Sequence, residues 1–201
     1  MNYRVILNII GFLLILNGFF IMLGIGFSIY YDTDDISALL ISGVLTSLIG
    51  FFIWFFTKQK ETPDLGKREG YLIVSLGWIS MAIFGALPFI IYGSIPNYTD
   101  AFFETMSGFT TTGATILQDI EALPPGLLFW RSLTQWLGGM GIIVLSIAIL
   151  PLLGIGGMQL FVAEAPGISP DKLKPRIRET AIRLWLIYVI LTASELVLLK
   201  L

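Results

Sequence analysis

The chain has 201 residues, 56% apolar and only 13% charged, with a mean hydropathy of +0.86 and a formal net charge of −2 at pH 7. That balance excludes an ordinary soluble domain and marks an integral membrane protein. There is no cysteine and no histidine, which excludes disulfide frameworks and thiolate or imidazole metal centres and removes the commonest general base. No basic patch with interleaved aromatics is present, so nucleic acid is not an expected partner.

Five apolar runs are long enough to cross a hydrocarbon core, which takes roughly 20 helical residues. They cover Val5–Tyr31, Ile36–Thr57, Gly70–Gly93, Leu127–Gly154 and Ala181–Leu199. The first is far longer than a signal-peptide apolar region and carries no small-residue cleavage site. Between the second and third runs, and between the fourth and fifth, lie Lys58, Lys60, Lys67, Arg68, Lys172, Lys174, Arg176 and Arg178. The other two connections, "DTDD" and the stretch from Ser94 to Gly126, hold neither lysine nor arginine. By the positive-inside rule the N-terminus is cytoplasmic and the first, third and fifth helices run outward. The fifth run reaches Leu201 with Glu195 facing no obvious counter-charge. An intramembrane carboxylate ordinarily faces protein, so the chain is expected to be the front part of a longer protein.

The loop between the third and fourth runs holds the unusual chemistry. Pro96 and Asn97 signal a helix start, with Asn97 or Thr99 as N-cap and Asp100 favourable in the first turn. A helix from Thr99 to Phe109 would be only about 15 Å long and cannot span. Its apolar residues Phe102, Phe103 and Met106 leave Glu104 and Ser107 elsewhere. Thr110 to Thr115, "TTTGAT", follows, with a composition suited to extended backbone and a glycine free to take positive φ. Irregular backbone at membrane depth is tolerated where it lines a water-filled path or is enclosed by protein. Potassium filters use such backbone carbonyls to replace an ion's water shell. Spacing alone leaves the alternative open: the same parity results if Ser94–Gly126 simply lies outside the membrane.

At these residues the chain resembles the Trk/Ktr/HKT superfamily of potassium transporters, most closely its bacterial TrkH/TrkG branch. The matching blocks are "AFFETMSGFTTTGATIL" (Ala101–Leu117), "PPGLLFWRSLTQWLGGMGIIVLSIAILPLLG" (Pro124–Gly154), "GGMQLFVAEAPG" (Gly156–Gly167) and "KLKPRIRETAIRLWLIYVILTA", ending at Ala193. The resemblance implies four covalently linked helix–pore loop–helix units around one pore, preceded by an extra helix pair. The expected fold is an all-α integral membrane protein. Residues 1–62 form the helix pair, 63–157 the first pore unit, and 158–201 a cytoplasmic loop with the first helix of a second unit. The resemblance further implies that Thr111, Thr112, Gly113 and Ala114 supply one quarter of the filter's backbone sites, flanked by Thr110 and Thr115. Glycine at Gly113, where sodium-admitting relatives tend to have serine, implies a preference for potassium. Thr115 stands where a simple potassium channel has a second glycine, implying a less rigid filter. Potassium is then the substrate and the only metal expected, with no covalent cofactor. Partners implied are membrane lipid, a second copy in a homodimer, and a cytosolic TrkA-like nucleotide-binding regulatory subunit, in a bacterial inner membrane.

Other residues carry two readings each. Arg131, flanked by Trp130 and Trp136, either tunes the potential near a pore mouth or pairs with Glu104, or else snorkels to the outer interface beside an aromatic belt; the last is favoured. "GGMG" (Gly138–Gly141) is a hinge or, more commonly, a close-packing surface. Pro88 and Pro151 are expected to kink or end helices. The basic loop Lys172–Arg178 either docks a regulator or is an ordinary cytoplasmic loop. The rival functions are a non-conducting membrane scaffold, a less selective monovalent cation (sodium) pathway, and an intramembrane enzyme, the last without evident acid–base machinery.

Overall fold

The computed structural model describes residues 2–58, 67–153 and 173–200. The segment Gly156–Gly167 and Lys60, Lys172 and the rest of the two basic connections at 59–66 and 154–172 lie outside the described residues. Among the described residues seven helices follow in order: α1 (Tyr3–Tyr30), α2 (Ile36–Thr57), α3 (Lys67–Gly85), α4 (Leu87–Tyr92), α5 (Tyr98–Phe109), α6 (Pro125–Leu153) and α7 (Leu173–Lys200). Among the described residues four stretches are long and apolar enough to cross a membrane: Tyr3–Tyr30, Ile36–Thr57, Arg68–Tyr92 and Ile182–Leu199. The 29 residues of α6, about 43 Å of helix, occupy the expected fourth run. The chain is an all-helical membrane protein.

Two compact units divide it at Gly138. The first, Met1–Gly138, holds α1 to α5 and the start of α6. Here α1 and α2 are antiparallel and pack through glycines in register. A Cβ on Gly11 would lie 2.8 Å from the Gly50 carbonyl oxygen, and one on Gly50 2.7 Å from that of Gly11. Gly18 and Gly43 repeat the exchange, seven residues later on α1 and seven earlier on α2, at 2.5 and 2.9 Å. Lipid tails give apolar helices little reason to associate, so close backbone approach and interhelical hydrogen bonds must hold the pair. Asn8 contributes one such bond, its Nδ2 donating to the Trp54 carbonyl at 2.9 Å. Asn17, fully buried, reaches from α1 to the Met81 carbonyl on α3 at 3.2 Å. Around these lies an apolar cluster of Ile6, Ile10 and Leu14 packed by Ile49, Ile53, Leu72, Ile73 and Phe84.

The third span is broken at Ala86. Pro88 has no amide to donate to Phe84, four residues back, so the helix cannot run through. α4 restarts at once and ends on Gly93, in the left-handed region at φ 89°. The carbonyl of Gly85, at the break, accepts the Trp130 indole N–H at 2.9 Å. Trp130 is fully buried, so it belongs to this joint and not to an interfacial belt.

The second unit, Gly139–Leu201, pairs the rest of α6 with α7. A Cβ on Gly139 would sit 2.7 Å from the Tyr188 hydroxyl, and the Trp185 indole donates to the Met140 sulfur. None of the 18 residues from Ile182 to Leu199 is buried; Glu195 stands exposed there.

Replacing Gly18 with leucine should force α1 and α2 apart at a cost of roughly 1–3 kcal/mol or more. Gly26, whose Cβ would meet nothing within 4 Å, should accept alanine without loss. Thermal unfolding of the two purified variants in detergent distinguishes them: equal melting temperatures would show that the glycine register does not hold the hairpin.

Candidate functional site

The site is built at the end of α5. Asn97 caps this helix, its side-chain oxygen accepting from the Thr99 amide at 3.0 Å, with Asp100 in the first turn. Its 12 residues give about 18 Å of helix, little more than half of a hydrocarbon core of roughly 30 Å. Its inner face is mostly small and polar: Ala101, Glu104, Thr105, Ser107 and Gly108 are buried, closed at the end by Phe109. Phe103 is 49% exposed. In a membrane the apolar side of a helix faces lipid and its polar side faces protein, the reverse of the arrangement in water.

The close of α5 is specific. Thr111 takes φ 55°, while its amide donates to Gly108 and that of Thr112 to Ser107, at 2.9 and 3.0 Å. This is a Schellman motif, which normally places glycine at the left-handed position. A β-branched residue there costs about 1–2 kcal/mol. Two residues on, Gly113 takes φ 76°, the positive φ expected of it. The expected fully extended run is thus interrupted at Thr111 by the helix cap. The Thr110 hydroxyl meets the Met106 carbonyl and the Thr112 hydroxyl, each at 2.8 Å. Thr110 to Ile116 are all exposed. Among the described residues no group donates to the carbonyls of Thr111, Thr112 or Gly113, whereas the Ser107 hydroxyl donates to that of Ala114 at 2.6 Å.

Glu104 ties the returning strand to the helices. Its carboxylate, in a residue 2% exposed, accepts the Thr115 hydroxyl at 2.9 and 3.0 Å, the Ile116 amide at 3.0 Å, and Arg131 Nε at 2.7 Å. Thr115 Oγ1 in turn accepts the Leu117 amide at 3.1 Å. Arg131 therefore does not snorkel: its side chain is 13% exposed and ion-paired with Glu104. The reason is burial, since an isolated carboxylate here would cost several kcal/mol and the guanidinium is within reach. α5 and α6 are close enough for this because both present glycine. A Cβ on Gly108 would strike the Thr134 side chain, and one on Gly138 the Phe109 carbonyl. Gly138 is thus a packing surface.

The structure brings Glu104, Thr115 and Arg131 together and strings Thr110 to Ala114 along one exposed turn. Two residues were missed from sequence. Ser107 binds seven residues ahead, a spacing no helical pattern reveals. Asp35 is fully buried and accepts from the Leu127 amide at 2.9 Å, 92 residues away. Only its place among four polar residues of "DTDD" set it apart.

The site is thus a short, non-spanning helix closing into an exposed turn between α4 and α6. The chain matches the TrkH family of cation transport proteins over residues 35–200. It is 49% identical over 198 residues to the Trk system potassium uptake protein TrkH of Escherichia coli K12, covering 96% of this chain and 40% of that protein. It is 37% identical over 192 residues to the Trk system potassium uptake protein TrkG of the same strain, covering 94% and 39%. The crystal structure of the potassium transporter TrkH from Vibrio parahaemolyticus superposes with a TM-score of 0.80 at 38% identity, over 96% of this chain and 38% of the other. The chain belongs to the TrkH cation transport family. It spans 40% of the length of the Escherichia coli TrkH relative.

Replacing Arg131 with methionine should leave Glu104 buried without its counter-charge and destabilise the protein by about 3–5 kcal/mol. Adding Glu104→Gln to that variant should restore part of the loss, because the uncompensated charge is then gone. Melting temperatures of the two variants in detergent test this; a double variant no more stable than Arg131→Met would show that the charge is not the cause.

Proposed function

We propose that this chain is the N-terminal part of a potassium-uptake translocation subunit and supplies one quarter of its selectivity filter. Thr111, Thr112, Gly113 and Ala114 are the filter segment, with Thr110 and Thr115 flanking. The observation that carries this is the exposed turn after α5, where three consecutive carbonyls meet no donor among the described residues while both ends are pinned. Oxygens held in that way can replace water around a partly dehydrated cation. Positive φ at Thr111 and Gly113 bends a run that an ordinary strand would keep straight. The negative end of the α5 dipole lies at the same turn and favours a cation. The relatives' own activity, potassium uptake, supports the choice of ion.

The mechanism is permeation, with no bond made or broken. Potassium leaves its water shell for the carbonyls of this segment and of three like it. One segment cannot encircle an ion, so the other three come from the remainder of a longer chain. Residues 1–62 are the accessory helix pair, 63–157 the first pore unit, and 158–201 lead into the second. The distribution of basic residues puts the N-terminus in the cytoplasm and the loop after α4 outside. The complete subunit would sit in a bacterial inner membrane as a homodimer beside a TrkA-like regulatory subunit. Glu104 and Arg131 cancel each other's charge, so they shape the pore mouth by holding Thr115 more than by their net potential.

Gly113→Ser in the complete transporter tests the reading. Serine must enter the left-handed region at about 1–2 kcal/mol, which distorts the segment. The potassium-to-sodium uptake ratio should fall roughly five- to tenfold at equal abundance in the membrane. An unchanged ratio with normal folding would leave the turn a surface feature and the chain a scaffold.

A further inference from the structure

We propose that Asp35 is a positioning residue for the pore unit, and that the α1–α2 turn is an external brace on the two helices flanking the filter loop. This rests on the filter reading above and adds a role for the accessory helix pair. The turn carries two neighbouring carboxylates with different partners. Asp34 Oδ1 accepts the Tyr92 hydroxyl at 2.9 Å, at the last residue of α4, just before the loop into α5. Asp35 Oδ2 accepts the Leu127 amide at 2.9 Å, in the first turn of α6, just after the filter loop returns. Asp35 Oδ1 is held from the other side by the Thr33 hydroxyl at 2.7 Å.

The contact is built for close approach. A Cβ on Gly126 would lie 2.5 Å from Asp35 Oδ2 and would also strike the Ser28 hydroxyl; one on Gly24 would lie 2.9 Å from the Gly126 carbonyl. Phe27 stacks on Phe129 beside it, ring centroids 4.2 Å apart. Asp35 is fully buried, and no described basic side chain forms an ion pair with it. Its charge is met by the Leu127 amide and the positive dipole end at the start of α6, both of which favour an anion there. Leu127 lies in the first turn of α6, where the amide has no carbonyl four residues back within the helix to receive it.

From Leu127 the line of contact continues along α6 to Arg131, across to Glu104, and so to Thr115 and Ile116 at the end of the filter segment. One turn therefore fixes the outer end of the helix that enters the loop and of the helix that leaves it. If that separation slackens, the returning strand moves with α6, and the carbonyl spacing follows.

The complete transporter is assayed for potassium half-saturation, potassium-to-sodium uptake ratio and maximal rate per copy in the membrane, with Gly113→Ser in parallel. Asp35→Ala should raise the half-saturation concentration about fivefold, the usual size of a lost helix cap, and lower the ratio, with little change in maximal rate. Asp35→Asn keeps an acceptor oxygen and should fall between Asp35→Ala and the parent. If Asp35→Ala fails to reach the membrane, Thr33→Val and Asp35→Asn decide, each with a smaller shift in the same direction. Should Gly113→Ser change the ratio while every Asp35 and Thr33 variant in the membrane keeps parental values, the brace is wrong and the filter stands. If Gly113→Ser also leaves the ratio unchanged, the filter reading falls first and the brace with it.

Discussion

The Glu104 carboxylate is a full charge buried in a chain more than half apolar, and the order of the loop follows from how that charge is met. Without donors its burial would cost several kcal/mol. Three groups meet it: the Thr115 hydroxyl, the Ile116 amide and the Arg131 guanidinium. The first two belong to the strand returning from the turn, and the third to α6. One residue of α5 therefore fixes both the end of the irregular segment and the helix that follows. An apolar residue of the same size could fill the space but could not specify which peptide of the strand sits there. Burying the charge exchanges stability for position: the returning strand is fixed at Thr115 and Ile116.

The packing around it obeys the rules of a lipid-facing protein. Buried hydroxyls at Ser42, Thr46 and Thr105 donate to the carbonyl four residues back on their own helix, so they are satisfied without needing water. The glycine register of α1 and α2, and the Gly108 and Gly138 contacts of α5 and α6, bring backbones together where larger side chains would hold them apart. α5 shows the consequence most sharply. Phe103 turns outward, while the threonine, serine, glutamate and glycine of the helix turn in together with Phe109, which packs against Trp78 and Trp130.

That inversion is also where sequence reasoning reached its limit. The lengths of the membrane helices were legible because hydropathy over twenty residues is a strong signal, and Asn97 and Gly113 were legible because cap and turn chemistry is local. The pairing of Arg131 with Glu104 was one of two readings, and the aromatic neighbours argued for the wrong one. Trp130 looked interfacial by composition but is the donor that satisfies Gly85 where Pro88 breaks the helix. Asp35 was not legible at all. Its partner is a backbone amide 92 residues on, and backbone amides leave no mark in a sequence. Thr111 ran against its propensity, since nothing about a threonine announces a positive φ.

Thr111 stands where a helix of this ending ordinarily has glycine. Glycine would fit its backbone angle without strain, as it does at Gly113. A chain with glycine at both positions would, however, leave the turn free to relax in several ways, because glycine has the most conformational freedom to lose. Threonine is stiff at χ1 and held by two helix-cap hydrogen bonds. Its strain, about 1–2 kcal/mol, is small beside what the Glu104 network and the cap together impose. Strain of this kind persists only where surrounding contacts over-determine the backbone, and here they do so from both sides, Ser107 and Gly108 before it, Glu104 after it. The turn is thus held from both sides by its neighbours, with glycine at the second of its two left-handed positions.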